Sequence, residues 1–208
     1  MLVNKDTKIY GSISKNPGNW GCKFHNFGFD FYHIDAIYKS FKIDNLTELQ
    51  NFLGLAYNLG VRGLGVSMPW KRVAMQYCTW IDQDAKIIGN INTIIFNDNG
   101  SIKGYNTDFL SVKAFCKKRQ MYEALIYGNG AYADTWRHAL SWYRNIDNLD
   151  ISDTNLNPHH TIINCTPIIS DLKNVINVSI ETSTGQELAT EQAKEQFELY
   201  TNKVYPLL

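Results

Sequence analysis

Residues 124–133 read ALIYGNGAYA, a short apolar run followed at once by a glycine-rich turn. The apolar run predicts a buried strand, and the residues after the turn have the period of a helix that reaches Leu140. Gly128 permits a tight turn, Gly130 lets a phosphate approach the backbone, and Ala133 lets the helix pack closely on the strand. This order is typical of dinucleotide-binding α/β domains, although glycine pairs also occur at turns that bind no ligand.

Short β-rich runs alternate with helical segments along the rest of the chain, which predicts an α/β fold with largely parallel sheets. The predicted strands cover residues 8–12, 35–41, 61–66, 92–96, 101–105, 124–127, 149–152, 161–164 and 175–180. The predicted helices cover residues 20–32, 46–59, 107–118 and 188–200, with a short helix opened by Pro69 and another that ends at Leu140.

Composition excludes several classes of protein. The 208 residues carry 20 basic and 20 acidic side chains, and 44% of them are hydrophobic. A disordered chain and a basic nucleic-acid binder are therefore excluded. No stretch has the length of a membrane span, and the charged amino terminus does not resemble a signal peptide, so we expect a cytoplasmic protein.

The cysteines and histidines do not form a metal-binding pattern. The four cysteines are widely spaced, which predicts reduced thiols that are mostly buried. His159 and His160 are adjacent, but no further ligand lies at a suitable spacing, so we predict a polar loop and no metal.

Three polar segments lie where strands end or helices begin, the region in which open α/β sheets bind ligands. They are GVSMPWK at 65–71, GNINT at 89–93 and GYNTD at 104–108. Lys71 falls in the first turn of a predicted helix, where the helix dipole disfavours a cation, so a nearby anion is expected. Asp108, after a predicted N-cap at Thr107, could supply it. By spacing alone, a surface lysine and a helix-capping aspartate fit better.

The end of the predicted strand 149–152 bears on cofactor choice. Asp153 follows it, and a carboxylate there accepts hydrogen bonds from a ribose 2′-hydroxyl but repels a 2′-phosphate. Asp153 therefore favours NAD over NADP. A turn aspartate in the sequence SDTN is the alternative.

Together these segments resemble the shikimate dehydrogenase family. The family's N-V-T-x-P-[FH]-K matches GVSMPWK, its G-A-[VI]-N-T matches GNINT, and its G-x-N-T-D matches GYNTD. Tyr10 with FHN at 24–26, INCTP at 163–167 and ELATEQAKEQFELYT at 187–201 continue the resemblance. The loop SISKNPGNWG, together with VSMP, is similar to the shikimate dehydrogenase-like branch.

The resemblance implies two domains and a reaction. Residues 1–110 would form a parallel or mixed α/β substrate domain, on which a carboxyl-terminal helix within 186–208 packs back. Residues 111–185 would form a Rossmann-like dinucleotide-binding domain that lacks one or more βα units. The implied reaction is NAD- or NADP-dependent hydride transfer between shikimate, or a related cyclohexene or cyclohexane carboxylic acid, and its 3-dehydro ketone.

The resemblance also implies roles for particular residues. Lys71 and Asp108 would be the catalytic pair, with Lys71 carrying the proton of the reacting hydroxyl. The substrate hydroxyls would bind Ser67, Asn92 and Gln192, and the family's S-x-S, which holds the substrate carboxylate, falls on Asn19 and Gly21. The cofactor would bind Gly128, Gly130, Ala131 and Thr166, together with Asp153, which was selected above by its position after a predicted strand.

Two alternatives stay open. The shortened second domain is also compatible with a protein that binds a shikimate-like polyhydroxy acid but has lost competent cofactor binding. Ser12 and Ser14 lie close to the position of the S-x-S motif and are the other candidates for the carboxylate.

We expect a monomer or a homodimer with no nucleic-acid or membrane partner.

Overall fold

The computed structural model describes residues 3–147 and 160–206, and the chain divides into two units. The first unit comprises Met1–Thr107 with Ala193–Leu208, and the second comprises Asp108–Gln192. The assignment of substrate and dinucleotide binding to the ranges 1–110 with 186–208 and 111–185 remains a prediction. In the described part of the chain, no helix is both long and apolar enough to cross a membrane.

A six-stranded mixed sheet forms the centre of the first unit. Its strand order is β2-β1-β3-β5-β6-β4, in which β1 is parallel to β2 and β3, β5 is antiparallel to β3 and β6, and β4 is parallel to β6. The strands are β1 (Lys8–Ser14), β2 (Ala36–Lys42), β3 (Val61–Val66), β4 (Trp80–Ile81), β5 (Thr93–Phe96) and β6 (Ile102–Tyr105). The helices are α1 (Trp20–Phe31), α2 (Leu46–Ala56) and α3 (Gln83–Ile88), with a 3-10 helix at Val73–Tyr77.

Helix α2 shows how the sequence builds one side of this unit. The side chain of Asn45 accepts a hydrogen bond from the Glu48 N–H at 3.0 Å, so the helix starts with a satisfied cap. Leu49, Leu53 and Ala56 recur at helical spacing and are all buried against the sheet core that contains Ile13 and Leu64.

The last helix, α6 (Ser183–Thr201), packs back on the first unit as predicted. Phe197 and Tyr200 join Tyr10 and Phe29 in a buried aromatic cluster. The contact is close, because a Cβ added at Gly28 would lie 2.5 Å from Cε2 of Phe197. Glycine at position 28 therefore lets α1 and α6 approach each other.

The second unit contains a parallel four-stranded sheet in the order β10-β9-β7-β8. Its strands are β7 (Glu123–Tyr127), β8 (Trp142–Ile146), β9 (Ile162–Asn164) and β10 (Val175–Asn177). Helices α4 (Thr107–Arg119) and α5 (Ala131–Ala139) accompany them. Val112, Ala124, Trp136, Ile163 and Leu188 belong to the buried core of this unit. The predicted α/β class, with a mixed first sheet and a parallel second sheet, is confirmed.

Several predicted elements differ from the structure. The predicted strand 149–152 lies outside the described residues and stays a prediction. Strand β8, which pairs with β7 on the side away from β9, was not predicted. Its side chains are mostly exposed, so it lacks the apolar alternation that marks a strand. Pro69 does not open a helix: the chain turns there, and a 3-10 helix begins at Val73. Strand β4 and helix α3 are too short to give a periodic signal and were not predicted.

Candidate active site

The three polar segments of the first unit meet through their backbones at the ends of β3, β5 and β6. The Val66 N–H donates to the Asn92 carbonyl at 2.6 Å, and the Asn92 N–H donates to the Tyr105 carbonyl at 3.0 Å. The Ile91 N–H donates to the Lys71 carbonyl at 3.0 Å. GVSMPWK, GNINT and GYNTD therefore form one polar cluster.

Asn92 lies at the centre of this cluster and is only 2% exposed. Its Oδ1 accepts hydrogen bonds from the Thr107 N–H at 2.7 Å, the Thr107 hydroxyl at 3.0 Å and the Thr93 hydroxyl at 3.0 Å. Within the described residues of its own unit, Nδ2 donates to none. The Asn92 amide is thus fixed by its oxygen, which leaves its N–H groups for a ligand.

Thr107 is the first helical residue of α4 rather than the predicted N-cap. Its hydroxyl donates across to Asn92, which ties the start of α4 to the start of β5. Asn106, just before it, donates through Nδ2 to the carbonyl and the side-chain oxygen of Asn90, at 3.2 and 3.0 Å. The segment that leads to Asp108 is therefore held on both sides.

Lys71 is positioned by its neighbour. Trp70 is buried and its Nε1 donates to the Ile43 carbonyl at 3.2 Å, so the turn after β3 has a fixed anchor. Lys71 is half-buried and belongs to the first unit. Asp108 is 7% exposed and is the first residue of the second unit. The pairing of Lys71 with Asp108 stays a prediction.

The other predicted substrate residues have different settings. Ser67 is exposed directly after β3, and its N–H donates to the Ile13 carbonyl at 2.9 Å. Asn19 is exposed at the start of α1 and its side chain makes no cap hydrogen bond. Gln192 is half-buried on α6 and ends the second unit. Ser67 thus lies on the segment that joins the Asn92 cluster; a common site with Asn19 and Gln192 remains a prediction.

The two alternative serines both lie on β1. Ser14 is buried, whereas Ser12 is half-buried and donates its hydroxyl to the Ser40 hydroxyl at 3.1 Å. The Ser40 hydroxyl in turn donates to the Gly18 carbonyl at 2.7 Å. Ser12 therefore supports the loop that carries Asn19.

Gln196 is a site residue that the sequence reasoning missed. It is 5% exposed, and its Nε2 donates to the Thr93 hydroxyl at 2.9 Å and to the Asn92 carbonyl at 3.2 Å. A glutamine beside Phe197 on the buried face of an amphipathic helix was the available signal, because buried polar side chains need partners.

The glycine loop of the second unit has the geometry predicted for it. Gly128 has φ +115°, in the region that favours glycine, and a Cβ there would lie 3.3 Å from Cys165 and Thr166. Gly130 precedes α5 as its N-cap, and a Cβ added to it would meet nothing within 4 Å. Ala131 is the first residue of α5. The loop thus presents an open helix N-terminus, which suits an anionic phosphate.

Arg137, a residue of α5, stabilises this loop by hydrogen bonds. Its Nη2 donates to the Gly128 carbonyl at 2.7 Å, and its Nε donates to Oδ1 of Asn145 on β8 at 2.8 Å. Its Nη1 pairs with Asp134 at 2.8 Å. Asp134 lies in the first turn of α5, where an unpaired carboxylate would repel a phosphate, so Arg137 offsets that charge.

Thr166 lies beside the glycine loop. The Cys165 N–H donates to the Tyr127 carbonyl at 2.8 Å, which brings the end of β9 next to the end of β7. The Thr166 hydroxyl donates to Oδ1 of Asn164 at 2.8 Å. Of the residues predicted to bind cofactor, the structure therefore brings together Gly128, Gly130, Ala131 and Thr166.

Asp153 and the strand 149–152 predicted before it lie outside the described residues, so its role in cofactor choice stays a prediction. β8 is the described strand beside β7 on the side away from β9, and because it ends at Ile146, the acidic residue directly after it is Asp147. Asp147 is exposed.

The cysteines are free thiols, of which only Cys116 is buried and the others are half-buried. Burial raises the pKa of Cys78 and Cys165 to about 12 and that of Cys116 to about 11. These three thiols are therefore poor nucleophiles. Residues 3–147 and 160–206 contain no cluster of three or more His, Cys, Asp or Glu side chains able to hold a metal ion.

The comparisons with known proteins agree with this geometry. Residues 20–94 match the family model described as the shikimate dehydrogenase substrate binding domain. The chain is 33% identical over 135 residues to the shikimate dehydrogenase-like protein of Haemophilus influenzae, covering 64% of this chain and 48% of that protein. It is 33% identical over 144 residues to the shikimate dehydrogenase (NADP(+)) of Saccharolobus solfataricus, covering 67% of this chain and 51% of that protein.

The chain thus spans about half the length of the curated relatives it matches. Among solved structures, a shikimate 5-dehydrogenase-like protein matches with a TM-score of 0.79 and 25% identity, over 99% of this chain and 95% of the other. The predicted family is therefore confirmed: the chain belongs to the shikimate dehydrogenase family.

Proposed function

We propose that this protein is an NAD(P)-dependent oxidoreductase that interconverts shikimate, or a related cyclohexene or cyclohexane carboxylic acid, with its 3-dehydro ketone. The observation that carries the proposal is the cluster around Asn92, in which GVSMPWK, GNINT and GYNTD meet through their backbones. Relatives named shikimate dehydrogenase (NADP(+)) support the substrate and the use of a nicotinamide cofactor.

In this proposal the protein manages a proton while the nicotinamide accepts or returns the hydride. Lys71 takes the proton of the reacting hydroxyl, and Asp108 holds the ammonium group in place and keeps it charged. Asn92 offers its Nδ2 to a substrate hydroxyl because its Oδ1 already accepts three hydrogen bonds. Ser67 and Gln192 bind further hydroxyls, and Asn19 binds the carboxylate.

The glycine loop of the second unit supports the cofactor assignment. Gly128 and Gly130 leave the backbone N–H groups at the start of α5 accessible to a pyrophosphate, and Thr166 lies beside them. The ion pair between Arg137 and Asp134 keeps the first turn of α5 from repelling an anion. These features support retained dinucleotide binding.

We also propose that NAD is preferred over NADP. Asp147 follows β8, where a carboxylate favours a ribose 2′-hydroxyl, and Asp153 is the second acidic candidate from the sequence. The opposing group is Arg144, whose exposed side chain on β8 could pair with a 2′-phosphate.

A second candidate is a small-molecule binding protein that keeps the shikimate-like pocket but does not turn over. The observation that favours it is the second sheet, in which the described residues form four strands, fewer than the six of a complete doubly wound dinucleotide-binding sheet. A reduced sheet offers less support to the adenosine half of a dinucleotide.

Calorimetric titration of the full chain with shikimate, NAD and NADP separately tests the proposal, together with an absorbance assay of nicotinamide reduction. We expect binding of shikimate and of at least one dinucleotide, and turnover when both are present. Shikimate binding without dinucleotide binding or turnover supports the second candidate. No shikimate binding contradicts both.

A further inference from the structure

His25 and Gln196 are two buried polar side chains of the first unit. His25, from the FHN segment, is 1% exposed and its ring stacks on that of Tyr38 with centroids 4.4 Å apart. Burial lowers the pKa of His25 to about 3, while a side-chain hydrogen bond with Gln196 opposes that shift. The imidazole is therefore neutral near pH 7 and carries one N–H.

Hydrogen-bond donors and acceptors give the contacts of Gln196 a direction. Both protons of the Gln196 Nε2 are used, because Nε2 donates to the Asn92 carbonyl and to the Thr93 hydroxyl. The remaining group of Gln196 is Oε1, which can only accept. His25 Nδ1 has no partner among the described residues, so a hydrogen bond between the two side chains would run from His25 Nε2–H to Gln196 Oε1.

The direction continues to Asn92. The Thr93 oxygen accepts from Gln196, and the Thr93 hydroxyl donates to Asn92 Oδ1 at 3.0 Å. The Thr107 N–H donates to the same Oδ1, which sets the orientation of the amide. Gln196 thus supports Asn92 in two ways. It donates directly to the Asn92 backbone carbonyl, and it donates to the Thr93 hydroxyl, which in turn donates to the Asn92 side chain.

The environment of Gly65 is a second, independent observation on Gln196: the space that a side chain at position 65 would enter is bordered by Gln196. A Cβ added at Gly65 would lie 3.2 Å from Nε2 and 3.4 Å from Oε1 of Gln196. Gly65 begins the GVSMPWK segment that carries Ser67 and Lys71. Gln196 therefore touches two of the three segments that form the Asn92 cluster.

We infer that Gln196 is a positioning residue that holds Asn92 so that its Nδ2 is presented to a substrate hydroxyl. Gln196 does not touch the substrate and acts through Asn92. The inference rests on the proposed function for the identity of the ligand. It deepens that function by assigning a second glutamine of α6, besides Gln192, a part in substrate binding.

The test is a double-mutant cycle measured by calorimetry with shikimate. Gln196→Leu removes both donors, and we expect the Kd for shikimate to rise about five- to tenfold, the effect of losing one well-placed hydrogen bond. In an Asn92→Ala background the same change should have little further effect. Gln196→Glu, which keeps the shape of the side chain, serves if Gln196→Leu fails to fold. Gln186→Leu, an exposed glutamine on the same helix, is the matched control and should leave Kd unchanged.

The inference is overturned if Gln196→Leu weakens shikimate binding equally in the wild-type and Asn92→Ala backgrounds, or in neither. In both cases the effect of Gln196 would not depend on Asn92. A ligand-free readout separates this failure from failure of the proposed function. In ¹H–¹⁵N spectra, the Asn92 side-chain amide signal, assigned by its loss in Asn92→Ala, should shift in Gln196→Leu. If shikimate does not bind wild type, the proposed function fails while these spectra still test the positioning. An unchanged signal overturns it.

Discussion

The side chain of Asn92 holds Thr107 at two points, accepting from its backbone N–H at 2.7 Å and from its hydroxyl at 3.0 Å. Asn92 directly precedes β5 and Thr107 opens α4, so one amide oxygen couples the end of a loop to the start of a helix. Because both residues are buried, water cannot replace the bonds if the amide is removed.

Asn92→Ala is therefore expected to lower the free energy of unfolding by about 2 kcal/mol, because the Thr107 N–H is left buried without an acceptor. Urea denaturation followed by circular dichroism measures this. Asn99→Ala, at an exposed position in the turn between β5 and β6, is the control and should cost less than about 1 kcal/mol. Equal losses in the two variants would contradict a special role for Asn92.

Lys71→Ala is expected to lower kcat at least about 100-fold while leaving the Kd for shikimate largely unchanged, because the proposed role of Lys71 is proton transfer. Initial rates with a nicotinamide cofactor and calorimetry with shikimate measure the two effects. Lys86→Ala, exposed on α3, is the matched control. Turnover that survives Lys71→Ala would remove this lysine from the mechanism.

His25 predicts a pH dependence of stability. In the unfolded chain His25 is protonated with a pKa near 6.5, whereas burial in the folded chain lowers the pKa of His25 to about 3. The contribution of the neutral, buried His25 to the free energy of unfolding is therefore fully present above pH 6.5. It is lost at up to about 1.4 kcal/mol per pH unit as the pH falls toward 3. The rings of Tyr38 and Tyr200 face His25 and remain neutral in this range.

Urea unfolding at pH 7, 6 and 5 tests this, with His25→Gln as the variant. We expect the variant to lose stability less steeply than wild type on acidification. His33→Asn is the control, since His33 is exposed and asparagine tolerates its positive φ of 51°. Parallel slopes for wild type and His25→Gln would contradict the assignment.

Arg137→Ala is expected to weaken dinucleotide binding about three- to tenfold and to leave shikimate binding unchanged. The change removes the hydrogen bond to the Gly128 carbonyl and the ion pair that offsets the Asp134 charge near the helix N-terminus. Adding Asp134→Asn should recover part of the affinity by removing the charge. Calorimetry with NAD measures both, and no recovery would indicate that only the lost hydrogen bond matters.

Cofactor preference provides a further prediction. NAD should support a higher kcat/KM than NADP, and Asp147→Asn should narrow the difference about tenfold by removing the repulsion of a 2′-phosphate. Asp153→Asn, measured in parallel, shows which of the two acidic residues is responsible. A clear preference of wild type for NADP would instead implicate Arg144.

The sequence was most informative where local spacing and chemistry coincide. GVSMPWK, GNINT and GYNTD each keep their polar groups at strand ends, so their convergence on Asn92 followed from topology. β8 was missed because Trp142–Ile146 is largely exposed and has no alternation. Gln196 was missed because its partners Asn92 and Thr93 are more than 100 residues away in the chain, and pattern analysis carries no information on such long-range pairs.

The first unit draws on two distant stretches of the chain, Met1–Thr107 and Ala193–Leu208. During synthesis, Tyr10 and Phe29 leave the ribosome long before Phe197 arrives to complete their cluster. The nascent chain therefore carries an unfinished aromatic surface while the whole second unit is translated. Exposed apolar surface makes a partly folded chain prone to aggregation, so this exposure until α6 emerges is the consequence of closing one core with a late helix.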